Sequence, residues 1–413
     1  MTDTAPDVQD WATDYELLDQ SYAASPYAIW DDLRERCPVA HSDRNGGSWM
    51  PTTNEDVREI AKNTEIFTSQ NVAVIPVPIA KDADGNDLPP LRIPPIDTDP
   101  PHHKKARRMI LPTFSPRAVA ERDEPYTREI TQRMVDEFVA RFEAGDDVID
   151  GAVDYAQQIP PRVIAHLLGV PESMVDEFVG WVRGVLELGY FDPELRVKSR
   201  EALQNYFIGL VQERMENPGD DLISQMLQDE VDGEPITWVD VANTCNLLLV
   251  AGIDTTWSSI GSAIFHLATH PEDRRRLAED PSMIPVAVEE LLRAYSPVTM
   301  ARIVSEDFEY NGCPMKAGDR VIMNFPAANR DPEAFDRPDE VIIDREENRH
   351  IAFGVGIHRC AGSNQARMEM QVAIETFLAR IPEFELADPE NVTWAAGQVR
   401  GPRTMAIRIL ETR

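Results

Sequence analysis

Cysteine is scarce in this chain of 413 residues. Cys37, Cys245, Cys313 and Cys360 are the only four, and none stands in a Cys-x-x-Cys pair. Such spacing argues against a disulfide framework and against a zinc cluster built on thiolates, and it fits a reducing cytoplasm. Long apolar runs are missing as well: the longest purely apolar stretch, near Leu247 to Ala251, falls far short of the roughly 20 residues that a bilayer requires. The first residues, Met-Thr-Asp-Thr-Ala-Pro-Asp-Val, have neither a basic segment nor an apolar one, so they do not read as a secretory signal. Positive charge is in short supply, with 40 Lys and Arg against 72 Asp and Glu and a net charge of −32. Nucleic acid and anionic membranes are therefore poor partners. No Gly/Ser-rich linker and no repeat divides the chain, so residues 1–413 read as a single domain and the protein as a monomer. With 42% hydrophobic residues there is apolar material for a substantial core.

What is present centres on Phe353 to Glu369, where Gly354, Gly356 and Gly362 bracket Cys360. Glycine permits positive φ and lets backbone approach a flat ligand closely. Beyond Cys360, Ala366, Met370, Ala373, Ile374 and Phe377 recur at helical spacing. The cysteine thus sits at a helix N-terminus, where free amides and the helix dipole favour a thiolate. A lone thiolate facing open space suits haem iron better than zinc, which wants more ligands. A glycine loop capping a helix around an inert buried cysteine would share the short spacing. The match here is longer. Phe-x-x-Gly-x-His-x-Cys-x-Gly followed by Ala-Arg-x-Glu resembles the haem-ligand signature of cytochromes P450.

Other stretches extend the resemblance. His103 and Arg107, four apart in a basic run, share a helical face. A solvated basic helix is the ordinary fate of such a run, but the pair resembles the P450 His-x-x-x-Arg segment that grips a haem propionate. From the capping-box-like Thr237-Trp-Val-Asp240, helical sequence runs to Pro271. At 1.5 Å per residue this helix is roughly 50 Å long and crosses the domain. Ala251-Gly252-Ile253-Asp254-Thr255-Thr256 lies in its middle and resembles the P450 helix I motif. Thr255 can bond back to the Ala251 carbonyl and, with Gly252, open the helix into a groove. A carboxylate such as Asp254 in an apolar setting needs partners or a task. Glu290 and Arg293, a commonplace i,i+3 pair by themselves, resemble the structural Glu-x-x-Arg of the family, and Arg302 follows where relatives place another propionate contact. Two departures stand out: Gln365 replaces the usual leucine before Ala-Arg, and Glu340 occupies a position that often holds the basic partner of Glu290/Arg293, leaving Arg337 or Arg345 to complete the network.

The resemblance implies a mainly α fold with a small β region, in which haem b (iron protoporphyrin IX) lies between the long central helix and the cysteine loop. Cys360 would ligate the iron, flanked by Phe353 and Gly362, with Ala251 opposite. His103, Arg107, Arg302 and His358 would hold the propionates. The implied reaction is monooxygenation by O2 of a small, largely apolar organic substrate, as hydroxylation or oxidative dealkylation, with Asp254 and Thr255 delivering protons. The long proline-rich loop over 70–98 would roof the pocket, and Val74, Ile75, Ile79, Leu248, Ala251, Val298, Thr299 and Met300 would wall it. No flavin- or iron–sulfur-binding segment is appended, so electrons are expected from a separate ferredoxin and its reductase. Lys104, Lys105, Arg108, Arg359 and Arg367 would form the docking patch. A peroxide-driven relative or a non-catalytic gas-binding haem protein would not need Asp254 and Thr255.

Overall fold

The structure, a computed structural model, describes residues 7–76 and 93–413. Ile79 and most of the proline-rich loop lie outside the described residues. Helices dominate. We number those that position the site: α1 (His102–Ile110), α2 (Glu124–Glu143), α3 (Ile159–Leu168), α4 (Val175–Leu186), α5 (Pro193–Glu216), α6 (Trp238–Gly252), α7 (Asp254–Thr269), α8 (Ile284–Ala294) and α9 (Ser363–Arg380).

The β component is small, as expected. Its five-stranded sheet runs in the order Val39–Ser42, Ser48–Pro51, Arg320–Met323, Met300–Val304, Phe67–Thr68. The first two strands pair antiparallel across Asn45-Gly46-Gly47 with Val39 opposite Pro51, a hairpin of the kind that an asparagine–glycine turn favours. Asn45 and both glycines take positive φ there.

The central helix begins where the capping box places it, with Thr237 accepting from the Asp240 N–H and Asp240 reaching back to Thr237. It is not continuous: α6 ends at Gly252, and α7 begins at Asp254. Among the described residues, Trp238–Thr269 is the one helical stretch long and apolar enough to cross a bilayer, and 78% of its apolar window is buried inside the protein. It is a core helix. Ile260, Ala263, Ile264 and Leu267 of α7 pack in one apolar cluster with Val288 and Leu291 of α8 and Ala373, Ile374 and Phe377 of α9. Gly252 has a packing reason too: a Cβ there would stand 2.9 Å from Ile164 Cδ1 of α3. Helix α5 packs on α6 and α4, while α9 packs on α2, α7 and α8. Between these helices and the five-stranded sheet lies the cavity that contains the site.

Candidate active site

A cavity of about 940 Å³ is lined by Cys360, Phe353 and Gly362 of the cysteine loop, Ala251 and Thr255 of the broken helix, and Arg107, Arg302 and His358. The loop is held in shape by its backbone: Gly354 and Gly356 adopt φ of 68° and 71°, the Gly354 N–H bonds the Ile351 carbonyl at 2.9 Å, and the Cys360 N–H bonds the Phe353 carbonyl at 2.8 Å. Gly362 caps α9, and nothing stands within 4 Å of where its Cβ would project. The thiol therefore faces open space from a rigid turn. The apolar surroundings raise the Cys360 thiol although the residue is exposed to the cavity, while the amide of Gly362 and the charges of Arg107, Arg367 and Arg359 favour the thiolate as expected. A bound metal cation would supply what the helix end alone does not.

Four basic side chains converge on one side of the cavity. Arg302 is 3% exposed and donates only to the Ala301 carbonyl, its Nε unpaired; burial lowers it to about 10. Arg107 donates to the Arg359 carbonyl beside Cys360, and burial lowers it as well. His358 Nε2 pairs with Ser69 Oγ at 2.9 Å; burial, then Arg302, His103 and Arg107, drive it down to about 3. His103 lies edge-on to His358 at 4.5 Å with Nε2 unpaired. It too is lowered, by burial first and Arg107 second. No carboxylate forms an ion pair with either arginine among the described residues, so this end of the cavity is built for an acidic ligand group. Two haem propionates fit it, and the open thiol fits the iron.

The helix break behaves as the sequence foretold. Thr255 Oγ1 donates to the Ala251 carbonyl at 2.8 Å, and the Ile253 N–H reaches its own partner, the Leu249 carbonyl, only at 3.4 Å. Thr255 lines the cavity. Asp254 does not. It is fully buried on the other side of α7, where Oδ1 accepts from Arg403 Nη2 at 2.7 Å and Ser258 Oγ stands at 3.4 Å. Arg403 also bonds Glu187 at 2.9 Å and lies over the Trp257 ring. Burial raises the Asp254 carboxyl, with Arg403 opposing and Glu187 reinforcing. Glu187 is pushed up by burial, yet Arg403 and Arg183 hold it on balance below the usual range. Arg403 and Glu187 carry no local motif, so the sequence did not single them out.

The Glu290–Arg293 pair is not on the surface: both side chains are fully buried and bidentate, at 2.8 and 2.9 Å. Arg345 Nε completes the network at 3.0 Å from Glu290, whereas Arg337 pairs with Glu340 and Asp336 in solvent. Of the expected pocket walls, Leu248, Ala251, Val298 and Met300 line the cavity. Val74 and Ile75 pack instead into the N-terminal apolar cluster around Trp30 and Met50, and Val72 and Ala73 take the wall. With no period in that loop, nothing in the sequence set its register. Thr299 donates its N–H to the Gln398 carbonyl and is not on the wall. The expected docking patch is thinner than its composition. Lys105 pairs with Glu234, Arg108 with Asp232, and Arg367 with Glu289 while stacking on Phe353. Lys104 and Arg359 remain exposed.

Comparison with known proteins accords with this geometry. A family model described as Cytochrome P450 matches residues 190–393. The chain is 32% identical to Mycinamicin IV hydroxylase/epoxidase of Micromonospora griseorubida, over 92% of this chain and 94% of that protein. It is 33% identical to Vitamin D(3) 25-hydroxylase of Pseudonocardia autotrophica, over 90% of each. The solved structure of the polyketide synthase cytochrome P450 PksS of Bacillus subtilis superposes with a TM-score of 0.84 at 29% identity, covering 96% of this chain and all of that one.

Proposed function

The chain belongs to the cytochrome P450 family of haem-dependent monooxygenases, and from that premise we propose that it inserts one atom of O2 into a small, largely apolar organic substrate. We take the cofactor to be haem b, and the electron donor to be a ferredoxin served by its own reductase. The protein acts as a cytoplasmic monomer, one haem domain over residues 1–413. The observation that carries this reading is the pairing of an open Cys360 thiol with a Thr255 hydroxyl on the wall of one cavity.

When bound, the haem supplies oxygen activation, with the thiolate's electron density favouring O–O cleavage. Cys360 Sγ holds the iron. Arg107 and Arg302 would grip the propionates through planar guanidinium forks, and His103 and His358 would donate hydrogen bonds beside them. Thr255 passes a proton at Oγ1, the atom now donated to the Ala251 carbonyl. Asp254 is the proton store behind it, and it must leave Arg403 to reach the groove. Leu248, Ala251, Val298 and Met300 keep water from the substrate's apolar body.

Replacing Cys360 by Ser tests the premise. The reduced carbon monoxide complex of the native protein should show the strongly red-shifted band of a thiolate opposite the gas, and Cys360→Ser should lose it. A variant that kept the band would remove Cys360 from the iron.

A further inference from the structure

One wall of the cavity is not apolar. Arg196, Arg200 and Gln204 follow one another at four-residue intervals on α5, share a face of that helix, and all line the cavity. Arg196 is 5% exposed. Its guanidinium lies over the Tyr190 ring at 4.8 Å, its Nε has no partner, and Tyr190 is the one group that offsets its burial. Arg200 is partly buried, and the charge acting on it is that of Arg196, which opposes its own. Glu201, next in sequence, also lines the cavity, but it is exposed and forms no ion pair with Arg196 or Arg200 among the described residues. On the facing helix α6, Asn246 is 1% exposed with neither Nδ2 nor Oδ1 bonded, and it lines the same cavity.

A buried guanidinium without an anion is costly. Stacking on an aromatic ring offsets part of that cost, and a second like charge one turn away adds to it. The propionates do not relieve it on the reading above, because Arg107, Arg302 and the two histidines form a separate cluster around Cys360, whereas α5 packs on α6 and α4. Among the described residues no carboxylate pairs with Arg196 or Arg200, which leaves the α5 wall open to a further anion. We propose that the substrate carries a carboxylate on an otherwise apolar body, and that Arg196 and Arg200 bind this carboxylate with Asn246 donating beside them. Two guanidinium forks match the two oxygens of a carboxylate. Leu248, Val298 and Ile164, which line the same cavity, receive the apolar remainder. The inference rests on the reading of this cavity as the substrate site of a haem enzyme.

The test compares dodecanoate, 4-phenylbutanoate and abietate, each beside its methyl ester, by calorimetry on the haem-loaded protein. At least one acid should bind about tenfold or more tightly than its ester. Arg196→Gln with Arg200→Gln should bring acid and ester to similar affinity, and Arg196→Lys with Arg200→Lys should restore part of the difference. Should the double glutamine variant lose haem, Arg200→Gln alone, at a partly buried position, must still narrow the ratio. Equal affinity for every acid and its ester, or an acid preference that survives both substitutions, overturns the inference. Failure of the proposed function shows separately, as a missing thiolate band in the native protein.

Discussion

Glu369 gives a sharp prediction because it is buried at the edge of the cavity with one carboxyl oxygen unpaired. It is 1% exposed on α9, Oε1 accepts from Gln365 Nε2 at 3.1 Å, and Oε2 has no partner. Burial raises its pKa from 4.5 to about 8, with Gln365 opposing and Asp123 adding to the rise. In the folded protein at pH 7 the carboxyl is therefore protonated, whereas in the unfolded chain it is ionised. The native state then binds the proton more tightly, so the stability it confers is full below about pH 4.5 and is lost as the pH rises toward about 8. At about 1.4 kcal/mol per tenfold change in proton affinity, that interval caps the effect at about 5 kcal/mol. Screening and relaxation leave a few kcal/mol of it.

Glu369→Gln removes the titration and keeps the shape and the contact with Gln365. Denaturant unfolding, followed by circular dichroism at about pH 5 and about pH 9, measures the outcome. The two proteins should be of similar stability in acid, and the variant should be the more stable by a few kcal/mol in alkali. Other groups titrate over the same range, but they cancel in the difference between the proteins. A native–variant difference that does not change with pH would show that Glu369 is ionised in the fold, and the argument from its missing partner would fall.

Three further outcomes are expected. Thr255→Ala should still bind haem and substrate but release reduced oxygen as hydrogen peroxide; product formed per electron consumed at the native level would refute a proton role for its hydroxyl. Glu290→Ala should cost about 3–5 kcal/mol, since it strands the buried Arg293 and Arg345, and a loss below about 1 kcal/mol in denaturant unfolding would mean the network is dispensable. Lys104→Glu with Arg359→Glu should slow ferredoxin-driven turnover, an effect that fades with salt, and should spare peroxide-supported turnover. Arg108→Glu should do less, because Asp232 already holds that guanidinium, so an equal loss from both would contradict the thinner patch.

What the sequence made legible was local. The cysteine loop shows in its glycines, two of which take positive φ, and the helix break shows in Gly252 next to a threonine that can reach back one turn. Partners distant in sequence were not legible. Arg403 meets Asp254 across 149 residues and comes from the short strand Pro402–Thr404, and nothing near either residue announces the other. Arg345 reaches Glu290 in the same way, at a position left open between two arginines. The wall register slipped from Val74 and Ile75 to Val72 and Ala73 because a proline-rich segment has no side-chain period to count. Arg196 and Arg200 lie in the helix Pro193–Glu216, where no local motif marks them, and only the fold shows that they line the cavity.

At the break around Ile253, an acid and a hydroxyl side by side in sequence come to lie in different surroundings. Successive residues on a helix point about 100° apart, and here Thr255 lines the cavity while Asp254 does not. Thr255 takes the cavity side, where it lines the wall and draws the Ala251 carbonyl out of the helical ladder. Asp254 is thereby committed to the core side, where burial raises its pKa and Arg403 restrains it. An acid with a raised pKa is a better proton donor near neutrality than an ordinary carboxylate, but only if it can cross to the groove. The backbone bond across the break, Ile253 to Leu249, is long at 3.4 Å, but Asp254 and Thr255 both follow it on α7, so the crossing falls to the Asp254 side chain on leaving Arg403. On the proposed proton role, Arg403 is what restrains Asp254, and that grip is shared with Glu187 on the same guanidinium.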